Sequence, residues 1–296
     1  MVRLIFNRRH LCRVLLAFSA VISATATAQT SVWQVSKGES TLYIAGTVHM
    51  LPQAQFPLPD AFEQSYQRAE KLIFEADIRE LEAAKGAQLL MRHARYQDQR
   101  NLKQVLSEAT YKQLEQAAAS FGISLKTLNS FKPDFVLLNL MQAALQRAGM
   151  AGEGVDSYFL QQALSDNKAL GFLETTEQQL SLLLNASESH EDEFVKQNLA
   201  QFDELEQQLN DIIAAWRSGD TNALAALAMA FTDTPEGKQF YDTLLVQRNK
   251  NWLPHIKQML DTTEVELVLI GALHLAGDNN VLQLLQQNGY SITQLE

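Results

Sequence analysis

Apolar residues near the two ends of this chain fall in the patterns of strands, whereas the long stretch between them carries helical spacing. Val32-Trp-Gln-Val35 and Thr41-Leu-Tyr-Ile-Ala45 flank a polar turn, Lys37-Gly38-Glu39-Ser40, which predicts a hairpin. After a loop containing Pro52, Pro57 and Pro59, Asp60 with Glu63 suggests a capping-box start for a helix running to about Glu70. Lys71–Phe74 then reads as a buried strand ending in acids, Glu75 and Asp77. From about residue 80 to 260 the pattern is helical, with breaks at Gly122, Lys132-Pro133, Gly149 to Gly154, Asp166-Asn167, Ser218-Gly219-Asp220 and Pro235. A short strand at Ala169–Leu173, ending in Glu174, interrupts it, and Pro254 is expected to kink or end the last helix. Glu264–Ile270 is the clearest strand; a helix from about Asn279 to Asn288, a left-handed stop at Gly289 and a strand at Tyr290–Leu295 follow.

The two ends therefore spell the same unit: strand, G-x-x-H, loop, helix, strand. Gly46-Thr-Val-His49 closes the strand of the first and Gly271-Ala-Leu-His274 that of the second. Two such units can share one sheet and bring both turns to its carboxyl edge, where α/β proteins place their ligands. The expected fold is α/β (α+β): a central mixed sheet from the two terminal units and a large helical insertion at about 80–260 within one domain, residues 29–296.

Residues 1–28 hold four arginines and no acid, then an apolar stretch from Val14 to Ala24, then Ala26-Thr27-Ala28. That is the layout of a secretory signal peptide cut after Ala28, which implies a periplasmic or secreted protein. Cleavage removes the sole cysteine, Cys12, and with it any disulfide, thiolate metal site or cysteine nucleophile. It also takes the formal charge from −10 to −14, which argues against nucleic acid or anionic lipid as partner. No later apolar run approaches membrane-spanning length, and the basic cluster Arg92, His93, Arg95 and Arg100 reads as a solvated helix face.

The chain lacks G-x-S-x-G, H-E-x-x-H and G-x-x-x-x-G-K-[ST], so serine-hydrolase, zincin and P-loop chemistry have no support. The phenylalanines and methionines at helical spacing, such as Phe131, Phe135, Met141 and Met150, read as core. Chemistry is expected instead from His49 and His274, with Glu75 as third member, taken to stand beside the strand leading to His49. Two imidazoles and a carboxylate can hold a divalent metal with open positions for water, or activate water without one. Arg248 could stabilise an oxyanion or clamp a substrate carboxylate.

Together these motifs resemble the TraB/GumN family, which includes the Tiki proteins and is similar in its core to erythromycin esterases. Gly46-Thr-Val-His49-Met-Leu-Pro52, Phe74-Glu75-Ala-Asp77 and Gly271-Ala-Leu-His274-Leu-Ala-Gly277 look like its signatures. Gly154-Val-Asp156, Leu173-Glu174-Thr175 with Gln178, and Arg248-Asn249 look like its internal landmarks. The resemblance implies His49, Glu75, Arg248 and His274 as catalytic residues, with Gly46, Asp156, Glu174, Asn249 and Gly271 supporting them or touching substrate. It also implies His49, Glu75 and His274 as ligands of zinc, manganese, cobalt or iron. The first functional expectation is thus an exported, metal-dependent, peptidase-like hydrolase acting on a peptide or protein. The alternatives are a metal-free esterase-type hydrolase with a histidine base, and a non-catalytic peptide-binding or partner-binding protein of the same fold.

Overall fold

The hairpin forms as its pattern predicts: β1 (Val32–Lys37) and β2 (Ser40–Thr47) pair antiparallel with Lys37 opposite Ser40. Gly38 turns the chain at φ +62, a value that a Cβ would disfavour. The computed structural model describes residues 29–82, 84–232 and 234–296, so the predicted signal peptide, residues 1–28, lies outside the described residues.

Four further strands complete one sheet: β3 (Lys71–Phe74), β4 (Ala169–Phe172), β5 (Glu266–Gly271) and β6 (Ser291–Gln294). The order is β4-β3-β5-β2-β1-β6, with β4, β3, β5 and β2 mutually parallel and β1 antiparallel to both its neighbours. The mixed sheet and its helical middle match the expected α/β class. The two terminal units interleave, because β5 inserts between β2 and β3. One expectation is corrected here: β3, and with it Glu75, lies beside the strand leading to His274, not the one leading to His49. Burial accounts for this. Leu267, Val268, Leu269 and Ile270 are each 0% exposed, so β5 is apolar on both faces and takes a central place.

Successive β5 residues feed opposite layers. Leu267 and Leu269 pack with Phe62, Phe159 and Trp216, from helices Asp60–Arg68, Val155–Ser165 and Leu205–Arg217. Val268 and Ile270 pack with Trp252 and Val281, from helices Gln247–Met259 and Val281–Gln287. The middle helices close a separate core around Leu102, Leu114, Val136 and Leu140. Phe131 and Met150 are buried, and Phe135 and Met141 pack partly buried, in keeping with their reading as core. The predicted breaks fall at helix boundaries; Pro133 and Pro235 each open a helix, where a missing N–H costs nothing.

One local expectation is corrected and one is narrowed. Pro59, not Asp60, precedes the first helix, with Asp60 already helical and no side-chain cap formed. Pro254 does not end its helix, which continues to Met259. Pro254 and Lys250 both face solvent, so water can take the carbonyl that the proline leaves unpaired.

At the opposite edge of the sheet Glu266 is 3% exposed and its Oε2 has no partner; burial pushes its carboxyl up to about 7. Unfolded Glu266 ionises first, so the folded state loses this contribution as pH rises from about 4.5 towards 7. Glu266→Gln is expected to gain about 1–3 kcal/mol relative to the parent between pH 5 and pH 8 in urea unfolding.

Candidate functional site

Because β4, β3, β5 and β2 run the same way, their carboxyl ends deliver Glu174, Glu75, His274 and His49 to one rim. Two glycines bring a fifth group there. A Cβ on Gly152 would lie 2.0 Å from the Leu51 carbonyl oxygen and one on Gly154 would lie 2.2 Å from that of His49. Only glycine lets the 152–154 segment pass this close to the His49–Leu51 backbone. Val155 N–H donates to the Val48 carbonyl at 3.1 Å, and the helix starting there sets Asp156 Oδ2 2.8 Å from His49 Nδ1. The Gly152–Asp156 stretch, legible in sequence as a loop, is therefore a loop only to Gly154 and then a helix start.

Arg248 is the hub. It follows a π-helical turn, Asp242–Val246, and its Nη1 donates to the Leu244 carbonyl at 3.2 Å. Nη1 also donates to His274 Nε2 at 3.0 Å, Nη2 donates to Glu75 at 2.5 Å and to Glu174 at 2.6 Å, and Nε donates to Glu174 at 3.2 Å. A guanidinium has five N–H donors, and here all five are committed. An arginine cannot accept, so His274 Nε2 must carry the lone pair and Nδ1 the proton, which it donates to Asn249 Oδ1 at 2.6 Å. Glu75 is equally engaged: Oε1 accepts from Gly271 N–H at 2.7 Å, and Oε2 accepts from both Arg248 and Gln179 Nε2, the latter at 2.9 Å.

His49 faces these groups from across a small gap. A Cβ placed on Gly271 would lie 3.4 Å from Glu75 Oε1, 3.5 Å from the His274 ring and 3.9 Å from His49 Nε2. A cavity of about 50 Å³ is lined here by His49, Glu75, Asp156 and Gln179, with Phe74, Ile78 and Phe172 as apolar wall. It has room for water among polar partners.

The two histidines have opposite electrostatics. His49 exposes 66% of its side chain, and the charge of Asp156 pushes it up to about 9 against the effect of desolvation; solvent screens part of that attraction. His274 is 3% exposed beneath Trp252, and burial drives it down to about 3, so it stays neutral. For Glu75, burial pushes upward, but Arg248, the histidines and the Gly271 N–H prevail and hold it at about 2. Burial raises Glu174 despite its bonds to Arg248.

The expected residues thus meet, in roles that differ from those expected. His49, Glu75, Arg248 and His274 converge, with Asp156, Glu174 and Asn249 each bonded to one of them. Arg248 has no N–H left for an oxyanion or a substrate carboxylate, which corrects its expected role; it ties three strand ends together. The two G-x-x-H segments are also unlike: Thr47 is still paired in β2, whereas Gly271 leads into a 3-10 turn, Ala272–Leu275, that folds His274 inward. Gly46 serves packing, since a Cβ there would lie 3.2 Å from Leu275 and 3.3 Å from Ala272. Gln178, a sequence landmark, completes a capping box with Thr175, and the residue that reaches the site is its neighbour Gln179. The Thr-x-x-Gln box, which fixes where that helix begins, was the available signal. As metal ligands the three expected residues fit poorly, since both nitrogens of His274 are taken by protein partners. Among the described residues no three His, Asp or Glu side chains form a group that could hold a metal ion.

Among curated proteins the chain is similar to the uncharacterized protein YbaP of Escherichia coli K12, with 27% identity over 252 residues, 84% of this chain and 89% of that protein. The Shigella flexneri protein of the same name matches with the same identity and coverage. No solved structure matches. Residues 31–294, which contain every residue of the site, match the TraB/PrgY/gumN family, and the chain belongs to that family.

Proposed function

We propose that the protein is an exported hydrolase in which His49, held by Asp156, activates water for attack on the carbonyl of an ester or peptide bond. The observation that carries this reading is the 2.8 Å contact between His49 Nδ1 and Asp156, which leaves Nε2 turned to the cavity that Glu75 also lines. The aspartate fixes the tautomer in which Nε2 is the base. Nε2 takes a proton from water as the water oxygen bonds to the carbonyl carbon. The tetrahedral species then collapses, the bond to the alcohol or amine breaks, and His49 returns the proton to that leaving group. Glu75 orients the water through Oε1, and Gln179, which uses one amide hydrogen on Glu75, has a second for the developing oxyanion.

This favours the metal-free alternative over the metal-dependent one. A specific observation still supports the latter: His49 Nε2 and Glu75 Oε1 border the same gap and can each offer a lone pair. A metal there would polarise the carbonyl or the water, and His274 would join the ligand set only if Arg248 let go of its Nε2.

The test is hydrolysis of p-nitrophenyl esters and a peptide library by protein lacking residues 1–28, before and after chelation. Turnover that survives chelation is expected. Turnover lost on chelation and restored by metal would move the reading to a metallohydrolase. Peptide binding without turnover would make this a binding protein. With His49 raised to about 9, the base form accumulates only on the alkaline side, so kcat/KM should climb through neutral pH. Asp156→Asn removes the charge that raises His49 and should move that limb to lower pH by about 1–2 units while lowering the plateau. Export is tested by N-terminal sequencing of the mature protein, expected to begin at Gln29.

A further inference from the structure

The cavity at His49 is too small to hold more than the reacting atoms, so the rest of a substrate must lie elsewhere. A cleft of about 760 Å³, within the size range of small-molecule sites, opens on the other side of Phe172, which lines both spaces. Glu174 and Arg248 lie in its wall, and Arg248 is bonded to Glu75, which lines the cavity, so cleft and cavity are joined through that bond as well as through Phe172. Phe172 ends β4, an edge strand, and is 37% exposed; Ile78, in the cavity wall, is 39% exposed. Two large apolar side chains left in solvent at the rim of a polar centre favour binding rather than stability.

The charged pairs beside the cleft are matched within the protein, with Glu80 and His255 also in its wall. Arg79 forks onto Asp77 at 2.7 and 2.6 Å, with its guanidinium carbon 5.9 Å from the Phe172 ring centre, and Glu174 is matched by Arg248. What remains for a ligand is the exposed ring of Phe172 with the partly buried Leu182, bordered by the uncharged side chains of Thr175, Gln178, Ser181 and Asn251, while Leu173 and Trp252 are buried in the wall.

We propose that this cleft is the substrate's subsite, that its ligand is a bulky apolar group carried next to the scissile carbonyl, and that Phe172 determines the preference. The proposal rests on the hydrolase reading for its turnover but not for its binding.

The experiment compares wild type, Phe172→Ala and Phe172→Leu. Turnover is read with p-nitrophenyl hexanoate against p-nitrophenyl acetate, and binding with N-acetyl-phenylalaninamide against N-acetyl-glycinamide, by the NMR shift of the Trp252 indole N–H. Wild type should prefer the hexanoate and the phenylalanine amide. Phe172→Ala should cut kcat/KM for the hexanoate about tenfold or more beyond any change for the acetate and lower affinity for the phenylalanine amide about tenfold or more, and Phe172→Leu should recover much of the lost preference. Equal losses on both esters, or no change on either, would overturn the proposal. Phe172-dependent binding of the phenylalanine amide with no hydrolysis of any ester would retain the subsite and sink the hydrolase reading. Hydrolysis without preference between the two esters would do the reverse.

Discussion

Arg248→Ala is expected to cost about 3–5 kcal/mol of folding stability, the largest single-residue loss at this site. Arg248 is 8% exposed and is the cationic partner of Glu75, which is 6% exposed, and of Glu174. Removing it leaves two carboxylates in a poorly solvated space and strips His274 Nε2 of its donor. Urea unfolding at neutral pH checks the loss. Arg248→Lys should recover only part of it, because an ammonium cannot reproduce the fork onto Glu174 together with the bonds to Glu75, His274 and Leu244. The same variant also tests the metal question. With the guanidinium gone, Glu75 Oε2 and His274 Nε2 become free to ligate, so zinc or manganese should raise the Tm of Arg248→Ala and leave that of wild type unchanged. A wild-type protein that binds one equivalent tightly, and loses it in His49→Ala, would instead show that Arg248 yields its place.

The two motif histidines should give opposite phenotypes. On the proposed hydrolase reading, His49→Ala is expected to lower kcat/KM by about 10²–10⁴ while changing stability by no more than about 1 kcal/mol, since it removes the proposed base, whose side chain is 66% exposed. His274→Ala should lower stability by about 2–4 kcal/mol, because Asn249 and Arg248 lose buried partners and a cavity opens under Trp252. The pH dependence identifies the cause. His274 stays neutral in the fold down to about 3, while the unfolded residue binds a proton below about 6.5. The stability it contributes is therefore full above pH 6.5 and falls by about 1.4 kcal/mol per unit of acidification below it. The gap between wild type and His274→Ala should narrow accordingly in unfolding curves from pH 7 to pH 5.

Much of the scaffold could be read from local pattern. The alternation at Val32–Ala45 and the doubly apolar run at Leu267–Ile270 carry their own burial, and Gly38 and Gly289 mark backbone with positive φ that other residues disfavour. The paired G-x-x-H at strand ends pointed to one rim, since parallel strands put their carboxyl ends on the same side. Strand order was beyond such pattern, because β5 displaces β3 from β2 through packing between residues nearly two hundred positions apart.

What the sequence determined by itself was which groups could meet: two imidazoles, a carboxylate and a guanidinium, each delivered by a strand end or by the helix before one. Only the tertiary structure decided what each can do. The motif spelling of His49 and His274 is the same, yet a 3-10 turn buries one and the absence of that turn exposes the other. Arg248 has five donors in any fold, but their commitment to Glu75, Glu174, His274 and Leu244 depends on where three strands and a π-helical turn end relative to one another. Hydrogen-bond capacity is a property of a residue; whether that capacity is already spent is a property of its neighbours, and for this site those lie up to 196 positions away along the chain.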